Sequence, residues 1–167
     1  MGAQFSQFFP PKPTFTEADL ESQDGKVFLI TVGSSGIGYE LAKILYGKNA
    51  RVYIATRSER EALQAIADIK RTAVSSSGSL VFLQLGLSDL SGIKESVDEF
   101  KAKESKLDVL WNNAGVSQPP LVSVSKQGHE LQSLRRTALD RFCSHSSSSR
   151  CWRRPLPRAM DLRVPSG

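Results

Sequence analysis

The stretch best suited to chemistry is a glycine-rich turn, TVGSSGIGYELAK, at residues 31–43. It lies between an apolar run and a segment with helical periodicity, so its glycines fall where a strand would turn into a helix. Backbone N–H groups at the first turn of a helix can hold a phosphate or pyrophosphate, and glycines let the chain approach such an anion closely. A plain strand-to-helix turn is the alternative interpretation. The context of strand, loop and helix favours phosphate binding.

Four apolar runs and three amphipathic segments must position this turn. The predicted strands are residues 26–31, Arg51–Thr56, 79–85 and 107–111, and the predicted helices are residues 37–47, 59–73 and 91–105. Strands joined by helices of this length pair in parallel through right-handed crossovers. The predicted fold class is therefore α/β, a partial Rossmann-type, doubly wound parallel sheet of about four strands and three helices. A disordered N-terminal arm and C-terminal tail flank it.

Two sequence features predict where one helix begins and which face of another is buried. Ser58 and Glu61 have the spacing of a capping box, which predicts that the second helix begins there. Periodicity also predicts that the first helix buries a single apolar face. The residues of that face are Ile37, Leu41, Ile44 and Leu45.

Composition divides the chain into three segments. Residues 1–24, which include FFPPKPTF, are predicted to be a flexible arm with one short turn near Thr16. Residues 25–132 are the predicted globular domain, and residues 133–167 are a tail. Residues 1–132 hold 14 basic and 15 acidic side chains, whereas the tail holds eight arginines, no lysine and two acidic side chains. The net charge of +5 therefore comes from the tail.

Cysteine and hydropathy patterns bear on location. Both cysteines, Cys143 and Cys151, lie in the tail, so the predicted domain has no disulfide framework and no metal-ligand spacing. No run approaches the roughly 20 apolar residues of a membrane span, and the N-terminus lacks the order of a signal peptide. A cytoplasmic protein is predicted. The N-terminus also matches the pattern for myristoylation at Gly2, which would give weak, reversible membrane association, with an ordinary arm as the alternative.

A second motif, NNAG at residues 112–115, follows the fourth predicted strand. With both motifs the chain resembles the short-chain dehydrogenase/reductase family, closest to its retinol-dehydrogenase-like members, over residues 26–132. The resemblance implies an oxidoreductase with a nicotinamide cofactor, and a truncated NAD(P)-binding Rossmann domain in residues 25–132. The cofactor-binding residues that it implies are Thr31, Gly33, Ser35, Gly36, Ile37, Gly38, Arg57, Leu87, Asn113, Ala114 and Gly115.

Two positions depart from the family pattern. Val32 stands where the family has its first loop glycine, with Gly33 one place late. If the turn needs a left-handed backbone there, a β-branched residue is strongly disfavoured. Gly86 stands where the family usually has an aspartate that recognises the adenine amino group. Both departures predict impaired cofactor binding, and Val32→Gly is predicted to strengthen it.

Arg57, just past the second predicted strand, bears on the choice of cofactor. An acidic side chain there would bond the ribose hydroxyls of NAD, whereas a guanidinium can grip a 2′-phosphate with two donors. NADP is therefore favoured over NAD. A solvated surface arginine is the alternative interpretation.

The catalytic residues that the family uses are not found in this sequence. The family donates a proton to the carbonyl oxygen from a tyrosine whose pKa is lowered by a lysine four residues on, far downstream of the phosphate loop. Tyr39 and Lys43 have this spacing but follow the loop directly. Such pairs are common on exposed helix faces, so we interpret the match as coincidental. The predicted site has no catalytic residue, and the chain is predicted to be inactive.

The tail that begins at Ser133 has two interpretations. Codons allowed for residues 133–156, regrouped in a shifted frame, include a set that encodes an apolar helix carrying the family's Asn-x-x-Gly. The tail is therefore predicted to be an out-of-frame or misannotated coding segment. The disfavoured alternative is a basic tail that contacts nucleic acid, which explains only the charge. The alternative function is a non-catalytic nucleotide-binding or interaction fragment with this tail.

Overall fold

The computed structural model describes residues 13–87, 89 and 91–115. Its elements follow the order β1 (Val27–Thr31), α1 (Gly36–Gly47), β2 (Arg51–Thr56), α2 (Glu59–Thr72), β3 (Ser79–Gln84), α3 (Ser91–Lys103) and β4 (Val109–Trp111). This confirms the predicted α/β class. A 3₁₀ turn at Glu17–Asp19 follows Thr16, where a short turn is predicted. Gly2 and the predicted tail lie outside the described residues.

All four strands pair in parallel, in the order β3-β2-β1-β4. Val27 lies opposite Arg51 between β1 and β2, and Phe28 lies opposite Val109 between β1 and β4. The chain winds outward from β1 to β3 and then crosses back to place β4 on the other side of β1. The winding direction therefore reverses between β1 and β4, which is where open α/β sheets bind ligands at the carboxyl ends of their strands.

Helices cover both faces of the sheet, and β1 is buried along its whole length. Successive residues of a strand point to opposite faces, so Leu29 and Ile30 enter different cores. The α3-side cluster contains Leu29, Tyr53 and Val97. The α1/α2-side cluster contains Ile30 and Ile66, together with Ala42, Leu45 and Tyr46 of α1.

The buried face of α1 differs from the prediction. Leu45 is buried as expected, but Ile37 is 78% exposed, and Leu41 and Ile44 are only partly buried. Position 38 faces the loops after β1 and β4, where a Cβ would lie 2.4 Å from the Val32 carbonyl oxygen. With residue 38 on the inner side of the helix, Ile37 points outward. The buried residues of α1 are Gly38, Ala42, Leu45 and Tyr46.

The start of α2 agrees with the prediction. The Ser58 hydroxyl accepts a hydrogen bond from the backbone N–H of Glu61 at 3.4 Å, which is the serine half of a capping box. Acidic side chains occupy the first turn and basic ones the last, and both interact favourably with the helix dipole and stabilise α2. Because α2 starts at Glu59, Arg57 lies in the short connection between β2 and this helix.

A polar cluster joins β2 to the end of α3. The Tyr53 hydroxyl and Arg51 Nη1 both donate to Glu104 Oε1, each at 2.8 Å. The Glu104 side chain is 8% exposed. Burial first, and then the hydrogen bond to Glu104, raise the pKa of Tyr53 far above its usual range. Tyr53 therefore stays protonated and holds two elements of the fold together.

Candidate functional site

The loops after the four strands meet at one edge of the sheet, because parallel strands end at the same edge. Residues 32–38 follow β1, Arg57 follows β2, residues 86–87 follow β3, and residues 112–115 follow β4. The structure therefore places every residue predicted to bind the cofactor in β1, in α1 or in the loops at this edge. Contacts between these segments show which of them form a connected site.

Two glycines at the start of α1 are required for different physical reasons. Gly36 has a φ of +57°, a left-handed conformation that glycine adopts without strain. Gly38 has no room for a side chain, since a Cβ there would lie 2.4 Å from the Val32 carbonyl oxygen and 2.7 Å from Asn113 Nδ2. The helix start is thus pressed against both the β1 loop and the β4 loop.

Two side chains hold β4 against the β1 loop. Thr31 is fully buried, and its hydroxyl donates to the Trp111 carbonyl oxygen at 3.3 Å and accepts from the Ala114 N–H at 2.9 Å. Asn113 Nδ2 donates to the Val32 carbonyl oxygen at 3.3 Å. Thr31, Asn113 and Ala114 therefore form one connected unit. Within it the Thr31 side chain serves to align the two strands.

The first turn of α1 presents N–H groups that no side chain caps. Ser35, at the N-cap position, has an extended backbone and makes no side-chain cap hydrogen bond, unlike Ser58 before α2. The first four N–H groups of a helix lack partners within it, and the helix dipole adds partial positive charge there. Gly33 is buried beneath the turn, where a Cβ would lie 3.3 Å from Ile54 Cγ2. This geometry suits an oxyanion.

Val32 has a φ of +56°, a left-handed conformation that β-branched residues rarely adopt. Its N–H donates to the Ala55 carbonyl oxygen at 2.8 Å, and its own carbonyl accepts from the Asn113 amide. Both backbone groups are thereby fixed, one by β2 and the other by the loop after β4. The backbone at this position is therefore left-handed, and valine is held there in a strained conformation.

Replacing Val32 by glycine is expected to raise the free energy of unfolding by about 1 kcal/mol, because glycine adopts the left-handed conformation without strain. Glycine also increases the conformational entropy of the unfolded chain, which offsets only part of this stabilisation. Urea denaturation followed by circular dichroism measures the change. Val32→Ala is the matched control: it keeps Cβ and most of the strain, so it should gain little. A Val32→Gly protein less stable than Val32→Ala would contradict the strain argument.

The loops after β2 and β3 are tied to each other. Gln84 Nε2 donates to the Arg57 carbonyl oxygen at 3.0 Å. The Arg57 side chain is exposed and forms no ion pair with any other described residue. Leu87 is partly buried and packs against the α3-side cluster. A Cβ at Gly86 or Gly115 would meet nothing within 4 Å, so both positions border open space.

The three tyrosines of the chain all serve the fold. Tyr39 is partly buried against the α1/α2-side cluster, while Lys43 Nζ lies 3.6 Å from Glu40 Oε2. Tyr46 is buried in the same cluster, and Tyr53 is held by Glu104. The interpretation of Tyr39 and Lys43 as a coincidental match stays a prediction.

Two further observations concern the described residues alone. None of their helices has the length and apolar character needed to cross a membrane. Their His, Cys, Asp and Glu side chains do not gather in a group of three or more that could hold a metal ion.

Comparison with known proteins agrees with this geometry. Residues 26–141 match the family model described as short chain dehydrogenase. A short-chain dehydrogenase/reductase of Phomopsis amygdali is 50% identical over 127 residues, which make up 76% of this chain and 38% of that protein. The short-chain dehydrogenase/reductase pkfC of Emericella nidulans is 49% identical over 120 residues, or 72% of this chain and 38% of that protein.

A solved structure shares the arrangement. RhlG of Pseudomonas aeruginosa, in its complex with NADP, has a TM-score of 0.61 and 26% identity, covering 75% of this chain and 48% of that one. The chain spans about two fifths of the length of the curated relatives that it matches. The family match includes all four strands and the whole edge described above. This chain belongs to the short-chain dehydrogenase family.

Proposed function

We propose that this chain supplies the adenine-side half of an NADP-dependent short-chain oxidoreductase site, and that it binds NADP(H) without reducing a carbonyl itself. The observation that carries the proposal is the contact at Gly38. There the uncapped start of α1 is pressed against the loops of β1 and β4, with no space for a Cβ. This places N–H donors at the point where the strand order reverses.

The residues present fit such a cofactor. The N–H groups of the first turn of α1 would hold the pyrophosphate, and the Arg57 guanidinium would hold the 2′-phosphate. Residues 113–115 would line the side of the crevice next to β4. Bound NADPH supplies a hydride. Two positions fit it less well, Val32 and Gly86. Val32 is held in a left-handed conformation, and 36% of it is exposed in the loop that leads into α1. We propose that Val32→Gly also strengthens binding, for this reason.

Replacing Arg57 by alanine is expected to weaken NADPH binding by about 10- to 100-fold and to leave NADH binding within about twofold. Charge-assisted hydrogen bonds to a phosphate contribute roughly 1.5–3 kcal/mol. NADH has no 2′-phosphate and therefore makes no such hydrogen bonds with Arg57 that the substitution could remove. Calorimetric titration of both cofactors measures the effect. RhlG supports this choice of cofactor, since its structure contains NADP.

The control for this experiment is Arg71→Ala, which removes the same charge from the far end of α2, roughly 20 Å along the helix. Arg71 is exposed and paired with Asp68, so its loss should change neither affinity measurably. Equal affinity of the native chain for NADPH and NADH, unchanged in Arg57→Ala, would remove the role proposed for Arg57.

The absence of turnover is the second part of the proposal. It is supported by the surroundings of the three tyrosines of the sequence: Tyr39 and Tyr46 pack in or against the α1/α2-side cluster, and Tyr53 is hydrogen-bonded to Glu104. The truncated domain, the out-of-frame tail and the retinol-dehydrogenase-like branch stay predictions. So do a cytoplasmic location and membrane association through Gly2. A basic-tail function has no observation in its favour.

A further inference from the structure

β3 forms one edge of the sheet in the part of the chain that the structure describes, where it pairs with β2 alone. It carries none of the features that usually protect an exposed edge, which are charged side chains, prolines and bulges. Residues 74–87 contain no charged side chain and no proline, and β3 keeps one continuous register with β2. Such an edge is a template for pairing with a strand of another chain.

Two hydrogen bonds show which backbone groups of β3 lie at this edge. The Ser79 N–H donates to the Ala50 carbonyl oxygen at 3.1 Å, and the Leu85 N–H donates to the Thr56 carbonyl oxygen at 3.0 Å. The N–H and C=O of one residue point to the same side of a strand, and this side alternates from residue to residue. Odd-numbered residues of β3 therefore bond β2. The residues that direct both groups outward are Leu80, Phe82 and Gln84.

These outward groups suit pairing of β3 with a second copy of itself. The Gln84 carbonyl oxygen already accepts a hydrogen bond from the Ser96 hydroxyl of α3, so Leu80 and Phe82 are the better candidates. When two copies of β3 run antiparallel around a two-fold axis at Val81, Leu80 of each copy lies opposite Phe82 of the other. Each of these opposed pairs exchanges two hydrogen bonds. The strand is thus complementary to itself in backbone groups as well as in charge.

The exposed side of α2 fits the same arrangement. Leu63 is 51% exposed and Ala67, one turn further on, is also exposed. Each directly follows a buried residue, so both lie at one side of the helix. α2 packs on β2 and β3 and against α1, so the side that α1 leaves uncovered lies toward the β3 edge.

Spacing between the two copies of α2 supports contact between them. Strands lie about 4.8 Å apart, and α2 lies over β2 and β3, so pairing of β3 with its copy would bring the two α2 helices about 10 Å apart. Helices pack against each other at about 8–10 Å. Leu63 and Ala67 would therefore be covered by the second copy, and the paired strands would gain a layer of helices across the two-fold axis.

We propose that the β3 edge is an interface between two copies of this chain, which pair β3 with β3 in antiparallel orientation and join the two described sheets into one. A second copy fits because no like charges meet along the strand and because its outward groups are symmetric about Val81. The interface uses none of residues 31–38, 57 and 112–115, so it does not depend on the proposed cofactor site.

The first experiment is sedimentation equilibrium of the full chain, which is expected to form a reversible dimer. Ala67→Glu should weaken this association by about tenfold or more, because it brings two carboxylates to the interface between the copies. Gln64→Glu is the matched control. It adds the same charge to an exposed position of α2 that faces solvent, and should change the association by less than about twofold. Circular dichroism checks that both variants are folded.

Disulfide formation tests the register. In a chain with Cys143 and Cys151 replaced by serine, Val81→Cys should form a disulfide between two copies on oxidation, measured by non-reducing electrophoresis. Opposite residues of this kind have Cα atoms about 4.5 Å apart, a distance that a disulfide spans. Ser79→Cys is the matched control on the same strand. Ser79 would lie opposite Leu83, roughly 13 Å along the strand from its own counterpart, and should not cross-link.

Three results would overturn the proposal. A monomer at every concentration is the result expected if residues 116–167 cover the β3 edge instead. A dimer that Ala67→Glu leaves unchanged, or that cross-links equally through positions 79 and 81, would use another face or another register. Species larger than a dimer would show that the contact does not close around a two-fold axis.

Discussion

Replacing Gly38 by alanine is expected to lower the free energy of unfolding by about 3 kcal/mol and to abolish measurable NADPH binding. The added Cβ would lie 2.4 Å from a backbone carbonyl oxygen and 2.7 Å from Asn113 Nδ2, so α1 must move away from the sheet. Overpacking of this kind costs about 1–3 kcal/mol, and here a backbone atom that cannot rotate away puts the cost at the upper end. Urea denaturation and calorimetric titration measure the two effects.

Gly47→Ala gives the matched control, because both glycines belong to α1 and both variants add one methyl group. A Cβ at Gly47 would meet nothing within 4 Å. Alanine is favoured over glycine in helices by up to about 1 kcal/mol, so this variant should be as stable as the native chain or slightly more stable, and should bind normally. If both variants unfolded at the same urea concentration, the close contact at Gly38 would not exist.

A protein of these 167 residues is expected to show no carbonyl reduction above background with NADPH or NADH. A positioned proton donor contributes about 10²- to 10⁴-fold to such a reaction. The three tyrosines of the sequence instead pack in or against the hydrophobic core, and Tyr53 is hydrogen-bonded there to Glu104. Tyr53 is buried with a raised pKa, and Tyr46 lies in the core. Oxidation of the reduced cofactor, followed by absorbance with a panel of aldehydes and ketones, measures the rate.

Binding measured by calorimetry on the same preparation separates an inactive site from an unfolded protein. Tyr39→Phe and Lys43→Ala are the informative variants, since these two residues alone match the tyrosine–lysine spacing. Both should behave like the native chain. Turnover that is measurable in the native chain and disappears in Tyr39→Phe would show that the pair on α1 is catalytic after all.

The secondary structure could be predicted closely from the sequence, because apolar runs and turn residues are local signals. β1 and β2 agree with their predicted bounds within one residue. β4 starts two residues later than predicted, since Asp108 uses its carboxylate to accept from the Val27 N–H at 2.8 Å and Leu107 turns into the α3-side cluster. The Asp108 N–H also donates to the Val27 carbonyl oxygen at 2.9 Å. A hydrophobicity pattern cannot show that a carboxylate takes the place of a backbone acceptor at the end of a strand.

The candidate site was harder to predict, because its contacts join distant parts of the chain. The motif identified Gly38 and Asn113 separately, but no local pattern shows that their atoms meet over the Val32 carbonyl. Periodicity likewise placed Ile37 in the core, since it cannot register how closely a helix approaches a sheet. The sequence could predict strain at Val32 only for the case that the turn is left-handed. The φ of +56° in the structure shows that it is.

The tie between β1 and β4 has a thermodynamic consequence for the chain as a whole. Thr31 forms hydrogen bonds with two residues that lie 80 and 83 positions further along the chain, and Val32 forms one with a residue 81 positions further along. Closing so long a loop costs conformational entropy, and contacts between residues close in sequence do not offset this cost. The dinucleotide that we propose to lie between both loops would bind only after that loop has closed, so its occupancy would be linked to global folding. At 100 times its dissociation constant, it would stabilise the entire domain by about 2.7 kcal/mol.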